Sequence, residues 1–137
     1  MTTYAAKALI FHRDRILVLR RSSTHPKWAH QPDLPGGMIE LDESPEMGLS
    51  REILEETGLK ISIKKSDLVY DKHIRTFDHH FIYMARIDGN IPNLDISWEH
   101  DKFSWQTIDE IINAEYPDDL DLFFIEVIAY LKSIKSQ

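Results

Sequence analysis

The chain has 137 residues, 42% of them apolar and 28% charged, enough for one globular domain with a real core spanning residues 1–137. A formal net charge of −7 argues against a groove for a nucleic-acid polymer, which needs a basic face, but leaves room for a single nucleotide. Cysteine is absent, and so is any signal-peptide pattern or membrane-length apolar run. The expectation is a cytoplasmic protein, monomer or homodimer, with no disulfide, no thiolate chemistry and no membrane contact.

In chain order, Tyr4–His12 and Arg15–Arg20 are apolar-rich runs separated by Arg13-Asp14, a hairpin signal without the favoured turn glycine. Ser22–Asp33 is a polar loop holding His25, Trp28 and His30, long enough to do more than connect. Leu34-Pro35-Gly36-Gly37 follows, then the start signal Ser44-Pro45 and the stop signal Gly58, which predict a helix over about 45–57. Lys60–Lys65, Leu68–Ile74 and Thr76–Ile87 read as strands, and Lys102–Gln106 as a shorter one. Asp109–Ala114 reads as one or two helical turns, and the terminal amphipathic helix is expected over about 120–134. The pattern gives an α/β chain with a mixed sheet.

The helix over 45–57 carries the chemistry. Arg51, Glu52, Glu55 and Glu56 spread over an arc of about 140°, with Met47, Leu49, Ile53 and Leu54 on the remaining face. Carboxylates at these spacings repel by a few tenths of a kcal/mol per pair, and Arg51 supplies one compensating charge. A hard divalent cation, Mg²⁺ or Mn²⁺, is the simplest explanation, because it takes oxygen ligands and bridges to phosphates. Gly48 breaks the run of good helix formers at a cost of up to about 1 kcal/mol, which suggests close approach of another segment or tolerated drift.

Gly37, five residues to Glu43, seven to Arg51-Glu52-Ile53, then Glu55-Glu56 and Gly58-Leu59 together resemble an intact Nudix box; all nine defined positions match. The resemblance implies a Nudix α/β/α sandwich and hydrolysis of a phosphoanhydride in a nucleoside diphosphate linked to another group. It implies metal-binding and water-activating roles for Glu52, Glu55 and Glu56, with Glu52 the position most often proposed as general base. Arg51 would orient Glu55, Glu43 would pair with Arg51, and a carbonyl of Gly36 or Gly37 would add a ligand. A further carboxylate from a distal loop is Glu99, with His100 and Asp101 behind it. The adjacent His79 and His80 point to opposite faces of a strand and are read as sheet residues.

The box does not state the substrate. Arg20 and Arg21 end a strand leading towards it, and one of them is a candidate phosphate ligand. Tyr116-Pro117-Asp118-Asp119 is similar to a base-reading Trp-Pro-Asp-Asp stretch in a relative that sanitises oxidised purine triphosphates. It equally suits a cap for the helix starting near Leu120. Trp28, Phe77, Tyr83 and Tyr116 are candidate stacking residues. The leading expectation is a nucleoside triphosphate pyrophosphatase giving a monophosphate and pyrophosphate. The alternatives are a hydrolase of a sugar nucleotide, ADP-ribose, a dinucleoside polyphosphate or dihydroneopterin triphosphate, and a non-catalytic nucleotide sensor.

Overall fold

The computed structural model describes residues 3–75 and 78–136. Its strands are β1 (Thr3–His12), β2 (Arg15–Arg21), β3 (Pro32–Asp33), β4 (Gly36–Met38), β5 (Leu68–Arg75), β6 (Asp78–Ile87) and β7 (His100–Thr107). Its helices are α1 (Pro45–Thr57), α2 (Ile108–Asn113) and α3 (Leu122–Lys135), with a 3₁₀ turn over Lys65–Asp67. The strands form one mixed sheet in the order β3-β2-β1-β6-β5, with β4 added to β1 and β7 to β2; β1 and β6 run parallel, the other pairs antiparallel. Helices cover both faces, which is the α/β/α sandwich.

The alternation of β1 divides the core. Ala5, Leu9 and Phe11 pack with Ile111, Phe124, Val127 and Leu131 of α2 and α3. Ala6, Ala8 and Ile10 pack with Leu49 and Ile53 of α1. Each face is thus buried by side chains two residues apart, as a pleated strand requires. His79 and His80 obey the same rule: His79 stacks on Phe81, whereas His80 lies on Phe123 of α3 at 4.2 Å between centroids.

β1 and β2 pair only beside their turn, at Phe11↔Ile16 and His12↔Arg15. Beyond it they diverge, and residues 32–38 enter the gap. β3 pairs with Leu19 and Arg20 on one side, and β4 with Ala5, Ala6 and Lys7 on the other. Gly36 makes this possible: at φ 136 it holds a backbone conformation that L side chains rarely adopt, and a Cβ there would lie 2.1 Å from the Ala6 carbonyl. The split in the sheet is the seat of the site.

Ser44 caps α1 by accepting from the Met47 N–H at 3.2 Å, and Gly58 (φ 77) ends it. Two expectations about its faces are corrected. Met47 and Leu54 are 67% and 45% exposed, while Glu56 is buried. The stripe that meets the sheet is centred between Leu49 and Ile53. At about 100° per residue Glu56 falls inside that stripe, and Leu54 and Met47 lie about 100° or more from it. Gly48 has a steric reason, since a Cβ would meet Glu43 Oε1 at 2.7 Å and Ile39 Cδ1 at 2.8 Å.

Lys60–Lys65 is not a strand. Residues 60–64 lack regular structure, Ile63 N–H donates to Ser50 Oγ at 3.0 Å, and Ile63 is buried on the α1 face without joining the sheet. β7 begins two residues earlier than expected, at His100, and α3 begins at Leu122, capped by Asp121 through the Phe123 N–H at 3.2 Å. The Asp95 and Ser97 N–H groups donate to the Thr57 and Glu56 carbonyls, at 2.9 and 3.0 Å, which ties the 90–99 loop to the end of α1. No helix among the described residues is long and apolar enough to cross a membrane.

Candidate functional site: an acid wall facing a buried ion-pair hub

A cleft of about 420 Å³ opens at the split between β1 and β2. Glu52, Glu55 and Glu56 of α1 and Glu99 of the 97–100 turn form one wall, Gly36 and Gly37 the floor, and Lys7, Arg21, His25 and His100 the facing wall. The turn is closed by the His100 N–H donating to the Ser97 carbonyl at 3.1 Å, so Glu99 is presented by backbone already fastened to α1.

The acid wall is under-compensated. Glu56 is 2% exposed and its Oε1 accepts from the Gly36 N–H at 3.1 Å. Burial pushes its carboxyl up to about 8, against the opposing charge of Lys7. Burial also raises Glu52, against the charge of Arg51. Arg51 spends most of its guanidinium on Glu43, donating from Nη2 at 2.7 Å and from Nε at 3.1 Å. Its Nη1 donates to Glu52 at 3.2 Å and to Glu55 at 3.3 Å. Glu43 also accepts from the Glu40 N–H, and these bonds, Arg51 first, hold its carboxyl below the ordinary range. Among the described residues no three His, Asp or Glu side chains stand close enough to hold a metal ion as placed. Arg51 draws Glu52 and Glu55 to itself.

The facing wall is organised by Asp33. Its Oδ1 accepts from Lys7 Nζ (2.9 Å), Arg21 Nη2 (3.3 Å) and the Leu34 N–H (2.9 Å), and its Oδ2 from His100 Nε2 (2.9 Å). Burial alone would raise this carboxyl; the Lys7 charge, the His100 hydrogen bond and the Arg21 charge outweigh it and hold Asp33 well below the usual carboxylate range. Arg21 Nη2 also donates to Asp121 at 2.8 Å. Its Nη1 is buried without a hydrogen-bond partner among the described residues, as is His100 Nδ1.

The residues singled out from sequence separate into two groups. Gly36, Gly37, Glu52, Glu55, Glu56, Glu99 and Arg21 meet at the cleft, with Arg51 braced against its carboxylates. Arg20, Tyr116 and Asp119 instead line a separate hollow of about 570 Å³. There Arg20 makes a two-pronged pair with Asp101 at 2.7 and 2.9 Å. Tyr116 donates its hydroxyl to the Ile111 carbonyl at 2.6 Å and packs against Phe124. The Asp119 carbonyl accepts from Gln31 Nε2 at 3.2 Å, and Asp118 is exposed. The helix cap is Asp121, two residues beyond that pair. Tyr83 is core, and Phe77 lies outside the described residues.

Sequence reasoning missed Lys7, Asp33 and His25 as cleft residues. Lys7 had a signal: a lysine inside the apolar run Tyr4–His12 is almost never buried unless paired. Asp33 and His25 had none beyond their place in a long loop.

The description NUDIX domain matches residues 1–127. The chain is 34% identical over 97 residues to a "MutT-like protein" of Streptomyces ambofaciens, a match covering 71% of this chain and 58% of that protein. It is 30% identical over 89 residues to a Bacillus subtilis (strain 168) protein named "Putative 8-oxo-dGTP diphosphatase", covering 65% of this chain and 56% of that one. The chain thus spans less than two thirds of the length of these curated relatives. In fold it is similar to the MutT protein from Methanosarcina mazei Go1, with TM-score 0.80, 24% identity, and 99% of this chain and 96% of that chain covered. With the family description covering all but the last turns of α3 and the tail beyond it, the chain belongs to the NUDIX family.

Proposed function

We propose that this protein is a pyrophosphohydrolase that cleaves a phosphoanhydride of a nucleotide bound across the cleft, with Mg²⁺, or Mn²⁺ in its place, held by the acid wall. One observation carries the reading: four carboxylates share one cleft, and the two most buried are lifted by desolvation with too little positive charge to offset it. Such a wall suits a hard divalent cation. Glu52, Glu55, Glu56 and Glu99, with a carbonyl of Gly36 or Gly37, would hold it. When bound, the cation supplies neutralisation of the polyphosphate and a lowered pKa for the attacking water.

The remaining work falls to the chain's own side chains. Glu52, made more basic by burial, accepts the proton of the attacking water. Arg51 is a positioning residue that holds Glu52 and Glu55 from the side while anchored on Glu43. Arg21, its guanidinium fixed by Asp33 and Asp121 beside the cleft, brings its positive charge to the polyphosphate.

For the substrate we propose a nucleoside triphosphate, an oxidised purine triphosphate of the 8-oxo-dGTP kind, cleaved to the monophosphate and pyrophosphate. The named Bacillus subtilis relative supports this. A second reading, a sugar nucleotide, ADP-ribose or another nucleoside diphosphate derivative, is favoured by one observation. Tyr116 and Asp119 line a hollow distinct from the one that holds the carboxylates, and their contacts run to Ile111, Phe124 and Gln31. Measuring phosphate and pyrophosphate release over a nucleotide panel, with Mg²⁺ and with chelator, tests both. Hydrolysis at full rate in excess chelator would overturn the mechanism, and no hydrolysis of any nucleotide would overturn the activity.

A further inference from the structure

The β5–β6 ladder carries a second group of metal-ligating side chains, none of which lines the cleft. On β5, Tyr70 and Lys72 point towards α3, where both meet Glu126. Strand alternation therefore sends Asp71 and His73 to the other face. On β6, His80 lies on Phe123 of α3, so His79 is turned the opposite way, against Phe81. Asp71, His73 and His79 thus project from one face of the ladder.

The two imidazoles are paired by register. His73 stands directly opposite His79, and their rings lie 4.1 Å apart between centroids. Two nitrogens bound to one tetrahedral Zn²⁺, each at about 2.0–2.1 Å, are about 3.3 Å from each other, so rings at this spacing are within reach of a shared ion. His79 is held from several sides. It stacks on Phe81 at 4.5 Å, lies 5.6 Å from the Tyr4 ring, and bonds through Nε2 to Asp71. That leaves its Nδ1 for a ligand. His73 is exposed and makes no hydrogen bond among the described residues. A carboxylate on the far ring nitrogen is the usual companion of a metal-bound histidine, because it fixes the ring and makes the other nitrogen a stronger ligand. The ladder therefore offers two nitrogen ligands and an orienting acid, in keeping with the absence of a three-residue cage among the described residues. Imidazole suits Zn²⁺ and Cu²⁺, whereas the oxygen ligands of the acid wall suit Mg²⁺.

We propose that His73 and His79 bind one divalent transition-metal ion, Zn²⁺ or Cu²⁺, with Asp71 orienting His79 and water completing the coordination. The ion is a staple between β5 and β6 and takes no part in hydrolysis. The inference does not rest on the reading of the cleft.

Zn²⁺ is titrated calorimetrically into the whole chain in excess Mg²⁺, which competes at the carboxylates of the cleft, and the Cu²⁺-loaded protein is examined by electron paramagnetic resonance. The proposal expects one Zn²⁺ per chain, a higher Tm when Zn²⁺ is added, and hyperfine structure from two imidazole nitrogens. His73→Ala should weaken Zn²⁺ binding by about 100-fold and remove one nitrogen from the copper signal. Asp71→Asn should weaken binding by about tenfold and keep both nitrogens. Both residues are exposed, so both variants should keep the metal-free Tm, and His73→Ala should hydrolyse nucleotides with Mg²⁺ at the wild-type rate. If His73→Ala binds Zn²⁺ as tightly as the wild type, or if excess Mg²⁺ abolishes Zn²⁺ binding, the ion belongs elsewhere and the proposal is overturned. Wild-type affinity in Asp71→Asn would overturn the orienting role of that carboxylate.

Discussion

Asp33 and Glu56 face each other across one cleft, both nearly inaccessible at 6% and 2% exposure, yet their carboxyls are driven in opposite directions. Asp33 receives Lys7, Arg21 and His100 and is held fully ionised. Glu56 receives one backbone N–H and is pushed up to about 8. Burial is the same for both; the number of donors is not. A buried acid saturated with cations is a scaffold joint, whereas one left short of positive charge is a standing invitation to a cation or proton. The comparison divides the cleft into a wall whose charges are met within the fold and a wall left with unmet negative charge.

The largest expected effects are at the acid wall. Glu52→Gln or Glu56→Gln should lower kcat by about 10³-fold or more, since a metal site supplies several kcal/mol of transition-state stabilisation. Urea titration should show either variant folded. A folded variant with near-native turnover would break the comparison, because the under-compensated wall would then do no chemistry.

On the opposite wall the same kind of change should act on stability. Asp33→Asn strands Lys7, Arg21 and His100 around a neutral amide, and should cost about 3–5 kcal/mol in urea titration at pH 7. Glu56→Gln keeps an acceptor for the Gly36 N–H, and at pH 8 without metal it should be neutral or stabilising. Equal losses in the two variants would erase the distinction between the walls.

The pH dependence of the metal-free protein sharpens the contrast. Glu56 has a folded pKa raised to about 8 from an ordinary 4.5, so between those values the native state binds more protons than the unfolded chain. Its contribution to stability is therefore complete below about pH 4.5 and is lost as pH rises towards 8, by a few kcal/mol at most. Asp33 has a depressed folded pKa, so its contribution is present above about pH 4 and lost as pH falls below that. Tm measured in chelator from pH 5 to 9 should fall between pH 5 and about 8 and level off above it, and Glu56→Gln should flatten that fall. A profile unchanged by Glu56→Gln would show that its carboxyl is not the group responsible.

Smaller effects are expected towards the rim. Glu99 is exposed on a turn fastened to α1, and Glu99→Gln should reduce kcat by about 10- to 10²-fold without altering Tm. Asp119→Ala, in the separate hollow, should change purine selectivity by less than about threefold, because the contacts of Asp119 run to Gln31. A selectivity change of tenfold or more would bring the hollow into substrate recognition.

What the sequence determined by itself is local. Ser44-Pro45 and Gly58 bound α1 correctly, because capping and the left-handed stop are decided within a few residues. The spacing of Glu52, Glu55 and Glu56 put three acids on one helix, and strand alternation sent His79 and His80 to opposite faces. Lys60–Lys65 misled because an apolar alternation shows only that Ile61 and Ile63 turn inward, not that a neighbouring strand is there to receive their backbone bonds.

Only the tertiary structure could put Arg20 and Arg21 in different surroundings. Adjacent strand residues face opposite ways, and their partners, Asp101 for Arg20 and Asp33 with Asp121 for Arg21, come from distant segments; Asp121 is 100 residues away. The same holds for His100 on Asp33, 67 residues apart, and for the burial of Glu56 beneath Gly36. These pairings exist because β1 and β2 diverge and residues 32–38 fill the gap, which depends on the sheet as a whole. A carboxylate's role here is set by how many donors surround it, and those donors are gathered by the fold, not by neighbours in the chain.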